Sequence, residues 1–147
     1  MFKHILLPTD GSKLSERAVR SGIQFAGRIK ARVTALHVIP AFQAFANEGF
    51  APLSPALRKR LEDEARARAT RVLEGVARRA RSRKVRCTTL TAASDLPYQE
   101  IIATARRKKC DLIMMASHGR RGLSSLLLGS ETSKVLLHSK IPVLVVR

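Results

Sequence analysis

The feature that most constrains what this chain can fold into is an alternation of short apolar runs with longer amphipathic stretches. Lys3 to Pro8, Arg32 to Ile39, Val85 to Thr91, Leu112 to Ala116 and Ile141 to Val146 are apolar runs too short for typical helices. Several are continuous rather than alternating, the pattern of strands buried on both faces of a parallel sheet. The stretches between them repeat at three- and four-residue spacing instead. Ser12 precedes Lys13 to Lys30 as an N-cap, and Leu14, Ala18, Ser21 or Gly22, Phe25 and Ile29 make one helical face. In Ala56 to Ser82 the stripe is Leu57, Leu61, Ala65, Ala69, Val72, Val76 and Ala80. Leu96 to Lys109, with Asp95 as its expected cap, turns Ile101, Ile102 and Ala105 inward, and Glu131 to Ser139 forms a last helix. Five strands alternating with four helices specify an α/β fold: a parallel sheet with right-handed crossovers and helices on both faces. Pro40 to Pro55, with three Phe residues, reads as a long loop or lid.

One connection differs from the others. After the run Leu112 to Ala116 the chain enters a loop where Gly119 and Gly122 bracket Arg120 and Arg121, and Gly129-Ser130 then leads into the last helix. Two fixed guanidinium charges at a glycine turn, followed by the free N–H groups of a helix start, suit an anion. Neither G-x-G-x-x-G nor G-x-x-x-x-G-K-[ST] occurs. From these residues alone a plain turn, with Ser130 capping its helix, is an equal reading.

With 147 residues the chain fits one domain, able to bury roughly 70% of the surface its unfolded form exposes. No apolar run reaches the roughly 18 to 20 residues of a membrane helix, and the amino end is too short for a signal peptide, so a cytoplasmic location is expected. Cys87 and Cys110 lack metal-ligand spacing and read as buried free thiols. The net charge of +17 draws nucleotides and nucleic acid alike. Twelve Lys or Arg against four acids fall between Arg58 and Arg86, with no aromatic residue among them to stack a base. A solvated helix face with i, i+4 pairing is the favoured reading of that stretch.

The glycine pattern, the opening KHILLPTDGS and the closing KIPVLVVR together resemble the universal stress protein family across essentially the whole chain. The family's nucleotide motif is G-x-x-G, nine residues, then G-[S/T]. Gly119, Arg120 to Leu128, and Gly129-Ser130 match its spacing, whereas its first glycine is Ala116 here and an acid, Glu131, follows Ser130. The resemblance implies a Rossmann-like five-stranded parallel sheet of order 3-2-1-4-5, with a ligand crevice where the order reverses. Pro8, Thr9 and Asp10 would face Met115, Ala116 and the glycine loop across it.

The nucleotide-binding branch of the family further implies a role for each residue. Asp10 would meet the ribose or adenine, the Val38 main chain the adenine edge, and Met115 the sugar or base. Gly119 would let the backbone approach the phosphates, with Gly129, Ser130, Arg120 and Arg121 holding them. Plain alternatives stand beside these: Asp10 bracing its turn, Val38 and Met115 in the core, Ser130 a cap. Glu131 is expected to repel a γ-phosphate, so that Glu131→Val tightens binding, and Gly129→Asp to weaken it. The implied function is a regulatory or protective stress-response module that binds ATP, with or without Mg2+, as a homodimer through the terminal strand Ile141 to Val146. Two alternatives remain: a member that binds no nucleotide and acts through protein contacts, and a basic protein that binds nucleic acid nonspecifically. Catalysis ranks below binding, because nothing in the sequence orients His118, beside Ser117, through a second carboxylate.

Overall fold

The computed structural model describes residues 1–43, 53–119 and 128–147. The elements follow in the order β1 (His4–Pro8), α1 (Lys13–Ile29), β2 (Arg32–Ile39), α2 (Pro55–Ser82), β3 (Cys87–Ala93), α3 (Pro97–Arg107), β4 (Leu112–Ala116), α4 (Ser130–His138) and β5 (Val143–Val146). All pairings are parallel and the sheet order is β3-β2-β1-β4-β5. Neighbours β1 and β4 are separated in sequence by the whole of β2 and β3, and there the order reverses.

Successive residues of β1 divide the core. Ile5 and Leu7 pack with Val19, Ile23, Leu73, Val76 and Ala80, which puts α1 and α2 on one face. Leu6 packs with Ile101, Ile102 and Val135, which puts α3 and α4 on the other. All three β1 residues are fully buried, as a strand covered on both sides must be. In α2 the buried residues are Ala69, Leu73, Val76 and Ala80, and Leu57 is 44% exposed. The stripe expected from Leu57 onward therefore reaches the core only in the carboxyl half of the helix. The amino half is held by its own ion pairs, Arg58–Glu62, Lys59–Asp63 and Arg60–Glu64, each at i, i+4 spacing.

Three helices end alike. Lys30, Lys84 and Lys109 adopt left-handed φ angles of 56°, 54° and 55°, and the next residue donates its N–H five residues back: Ala31 to Ala26, Val85 to Ala80, Cys110 to Ala105. That closure explains a boundary. Val85 was expected to open β3, but its N–H closes α2, so the strand begins two residues later, at Cys87. Both cysteines are free; Cys110 is buried, while Cys87 is half-buried rather than fully so. Burial pushes the Cys110 thiol up to about 11, which keeps it protonated at neutral pH.

The amino end of the sheet holds two groups sensitive to acid. Burial, with Arg32 nearby, lowers the pKa of His4, whose Nε2 lies 2.8 Å from Thr34 Oγ1. Burial opposes the charge on Asp111, but the N–H groups of His4 and Lys3 donate to its carboxylate at 2.9 and 2.8 Å and hold its pKa below the usual value. Both folded values are depressed, so both contributions are present above the unfolded pKa and are lost as pH falls through the folded one. Stability should decline as pH drops below 6.5, the ordinary histidine value, and again at carboxylate pH. Denaturant melts at stepped pH check this. His4→Gln should remove the first decline, and an unchanged profile would sink the assignment.

Candidate crevice at the strand order reversal

The crevice begins where β1 stops. Thr9 donates its N–H to Leu36 O at 2.9 Å, and its buried hydroxyl lies 3.0 Å from Ser15 Oγ and accepts from the Gly11 N–H. Asp10 Oδ1 accepts from Ser12 N at 3.0 Å, and Ser12 in turn caps α1 through the Ser15 N–H. This chain of short-range hydroxyl and carboxylate bonds fixes the turn and half-buries Asp10 beside β4. Pro8 is buried at the last β1–β2 pair, Pro8↔Leu36, and β2 continues to Ile39 beyond it. The main chain of Val38 is thus carried past the end of β1, while its side chain packs against the α3–α4 core.

Opposite stands Gly119. A Cβ built there would lie 2.7 Å from Asp10 Oδ2, closer than carbon and oxygen can pack. A side chain at this position would have to displace the Asp10 carboxylate, whereas the backbone angle itself makes no demand for glycine, since its φ is not positive. Ala116 has ordinary strand geometry, so its methyl group in place of the family glycine carries no backbone strain. It is buried, and its carbonyl accepts from Thr132 Oγ1 at 2.9 Å. Met115 is buried in the α3–α4 core. Arg120 and Arg121 lie outside the described residues.

The third wall is the start of α4. Gly129, not Ser130, occupies the N-cap, and no side chain caps the helix among the described residues. Gly129 N donates to Ser117 O at 2.8 Å, which ties the helix to the strand end, and its own Cβ would meet Ser117 O and the His118 Cα at 3.2 Å. Gly129→Asp would therefore disturb this junction as well as any ligand. Ser130 is exposed at the first helical position. His118 Nδ1 lies 3.0 Å from Ser117 Oγ.

Two acids have partners that sequence reasoning did not find. The Glu131 carboxylate accepts from the Tyr98 N–H at 2.8 Å and from Lys134 Nζ at 3.2 Å. It caps α3, whose own N-cap, Leu96, has no side chain able to do so. Asp95, expected in that capping role, instead accepts from the N–H groups of Ala41, Phe42 and Gln43 and anchors the chain leaving β2. Glu131→Ala should therefore cost about 1 kcal/mol of stability, as cap removals do, and leave ligand affinity nearly unchanged. Urea unfolding beside a ligand titration checks both; unaltered stability would contradict the cap. Thr132, which locks α4 to Ala116, had no signal in the sequence pattern.

The family model described as the universal stress protein family matches residues 1–147. The chain belongs to the universal stress protein family. A universal stress protein of Methanocaldococcus jannaschii is 34% identical over 151 residues, covering 100% of this chain and 83% of the relative. A solved structure of another M. jannaschii universal stress protein has a TM-score of 0.83 at 29% identity and covers 99% of this chain and 96% of its own. The Archaeoglobus fulgidus universal stress protein in complex with dAMP has a TM-score of 0.68 at 17% identity, covering 100% of this chain and 98% of that one. These neighbours share the fold of the universal stress protein described here.

Proposed function

We propose that this universal stress protein binds an adenine nucleotide, ATP foremost, in the crevice between β1 and β4 and acts as a regulatory stress-response module. The observation that carries the reading is that Asp10 and the start of α4, uncapped by any described side chain, meet at the carboxyl ends of β1 and β4 where the strand order reverses. On one side Asp10 offers carboxylate oxygens to ribose hydroxyls. On the other, Gly129 and Ser130 present the start of α4, uncapped by any described side chain, to phosphate oxygens. The Val38 main chain reaches the same end of the sheet and would read the adenine edge. The dAMP bound by the A. fulgidus relative supports a ligand of this class. Any Mg2+ would be held chiefly by the phosphate oxygens of the nucleotide.

Calorimetric titration with Mg-ATP, with tripolyphosphate as a charge-matched control, tests the reading. Saturable ATP binding well beyond the control is expected. Equal heats from both would refute nucleotide recognition and favour a member that acts through protein contacts.

The second half of the proposal is a homodimer through β5. Among the described residues this strand pairs with β4 alone and leaves an edge, and Leu144 upon it is 37% exposed, with Leu136 and Leu137 of α4 exposed at 40% and 78%. An apolar edge of this kind is stabilised by a second copy. Sedimentation velocity should give a dimer that Leu144→Lys converts to monomer; a wild-type monomer at micromolar concentration would rule the interface out.

A further inference from the structure

The positive charge of α2 is unevenly neutralised. Between Arg58 and Glu64 three bases face three acids, all paired, so the net +8 of the stretch from Arg58 to Arg86 lies wholly beyond Glu64, where Glu74 is the sole acid. This uncompensated half packs alongside α1. Between the two helices is a recess of about 300 Å³ lined by Arg17 and Arg20 from α1 and Arg79 and Arg83 from the end of α2, with Ser21 at the side and the buried Ile23 as floor. A second recess, of about 250 Å³, shares Arg83 and continues past Lys30, Lys84 and Arg86. No carboxylate lines either recess, and none of the four arginines is in an ion pair among the described residues.

Holding like charges together costs free energy, and a surface that does so without counter-charges of its own fits an anionic ligand. We propose that the α1–α2 groove binds a linear chain of phosphates, with inorganic polyphosphate as the ligand class. Guanidinium groups pair with phosphate oxygens through two parallel N–H bonds, and successive arginines along two adjoining recesses match a repeating acid rather than a single ion. No aromatic side chain lines either recess, so stacking of bases does not contribute. None of these residues belongs to the crevice, so the groove stands or falls independently of nucleotide binding.

End-labelled inorganic polyphosphate, followed by fluorescence anisotropy across a series of KCl concentrations, is the test. Seven phosphate contacts along the two recesses predict a slope of log affinity against log salt of about −5, falling to about −3.5 in Arg79→Gln/Arg83→Gln. That variant should bind at least about tenfold more weakly, as the loss of two charge-assisted hydrogen-bond sites implies. Arg17→Gln/Arg20→Gln, on the facing helix, should show the same loss. Arg58→Gln/Arg60→Gln removes the same charge from the ion-paired end and should change affinity less than about twofold. All variants alter exposed side chains, and circular dichroism confirms their folding. Equal weakening in all three variants would reduce the groove to diffuse charge attraction and overturn the proposal. So would absence of saturable binding, or tighter binding of single-stranded or duplex DNA at equal phosphate number.

Discussion

Gly119→Val is expected to abolish most nucleotide affinity while leaving the fold intact. The valine Cβ would start 2.7 Å from Asp10 Oδ2, so either the carboxylate swings away from the crevice or the loop after β4 retreats from it. Both outcomes separate the two walls that a nucleotide has to bridge. A hydrogen bond to a charged group contributes about 1.5–3 kcal/mol, so losing the one from ribose to Asp10 should weaken ATP binding roughly tenfold to a hundredfold. Gly119 is exposed and makes no core contact, which is why thermal stability should hardly change. Calorimetry and a melting curve on the same sample decide it. Wild-type affinity in the variant would mean that nucleotide binding does not depend on the position of the Asp10 carboxylate beside Gly119.

The second large effect lies under α1. Gly22 sits over β1, and a Cβ there would fall 2.5 Å from Leu7 Cδ2 and 3.0 Å from its Cδ1. Leu7 is fully buried among residues of α1, α2 and the sheet, so it has no free volume to enter. Gly22→Val should destabilise by about 1–3 kcal/mol through overpacking, despite the helix propensity gained on replacing glycine. Leu7→Ala alone should cost about 2–5 kcal/mol by opening a cavity at the same spot. The double variant fills the hole with the intruding side chain, so it should be more stable than the sum of the two losses allows. Strict additivity in denaturant unfolding would show that the helix moves instead of the leucine.

These two glycines show which part of the structure was legible in sequence. The strands were readable because continuous apolar runs have few fates in a chain of alternating elements, and the sheet order came from family resemblance rather than from the residues. The glycine loop was visible as a motif, yet the physical need for Gly119 depends on Asp10, far away along the chain, which spacing cannot show. Asp95 and Glu131 illustrate the same limit. Next to Pro97 an aspartate reads as a local cap, but its partners are the N–H groups of Ala41, Phe42 and Gln43 across the sheet end. Glu131, read as a threat to an incoming phosphate, is spent on capping α3. In α2 the expected stripe runs too far toward the amino end and holds Val72 where Leu73 is the buried residue, since an apolar stripe marks the face a helix can bury and not how much of it meets a partner. The basic residues of α2 divide in the same way, with the first turns self-paired and Arg79 and Arg83 at the far end beside α1.

Amide chemical-shift mapping of the isotopically labelled protein, titrated in parallel with Mg-ATP and with tripolyphosphate, tests the crevice most directly. Binding there predicts that both ligands shift the amides of Gly129 and Ser130, and that only ATP shifts Asp10 and Val38, where sugar and base would lie. Shifts confined to Arg17, Arg20, Arg79 and Arg83, or a pattern identical for the two ligands, would contradict adenosine recognition between β1 and β4.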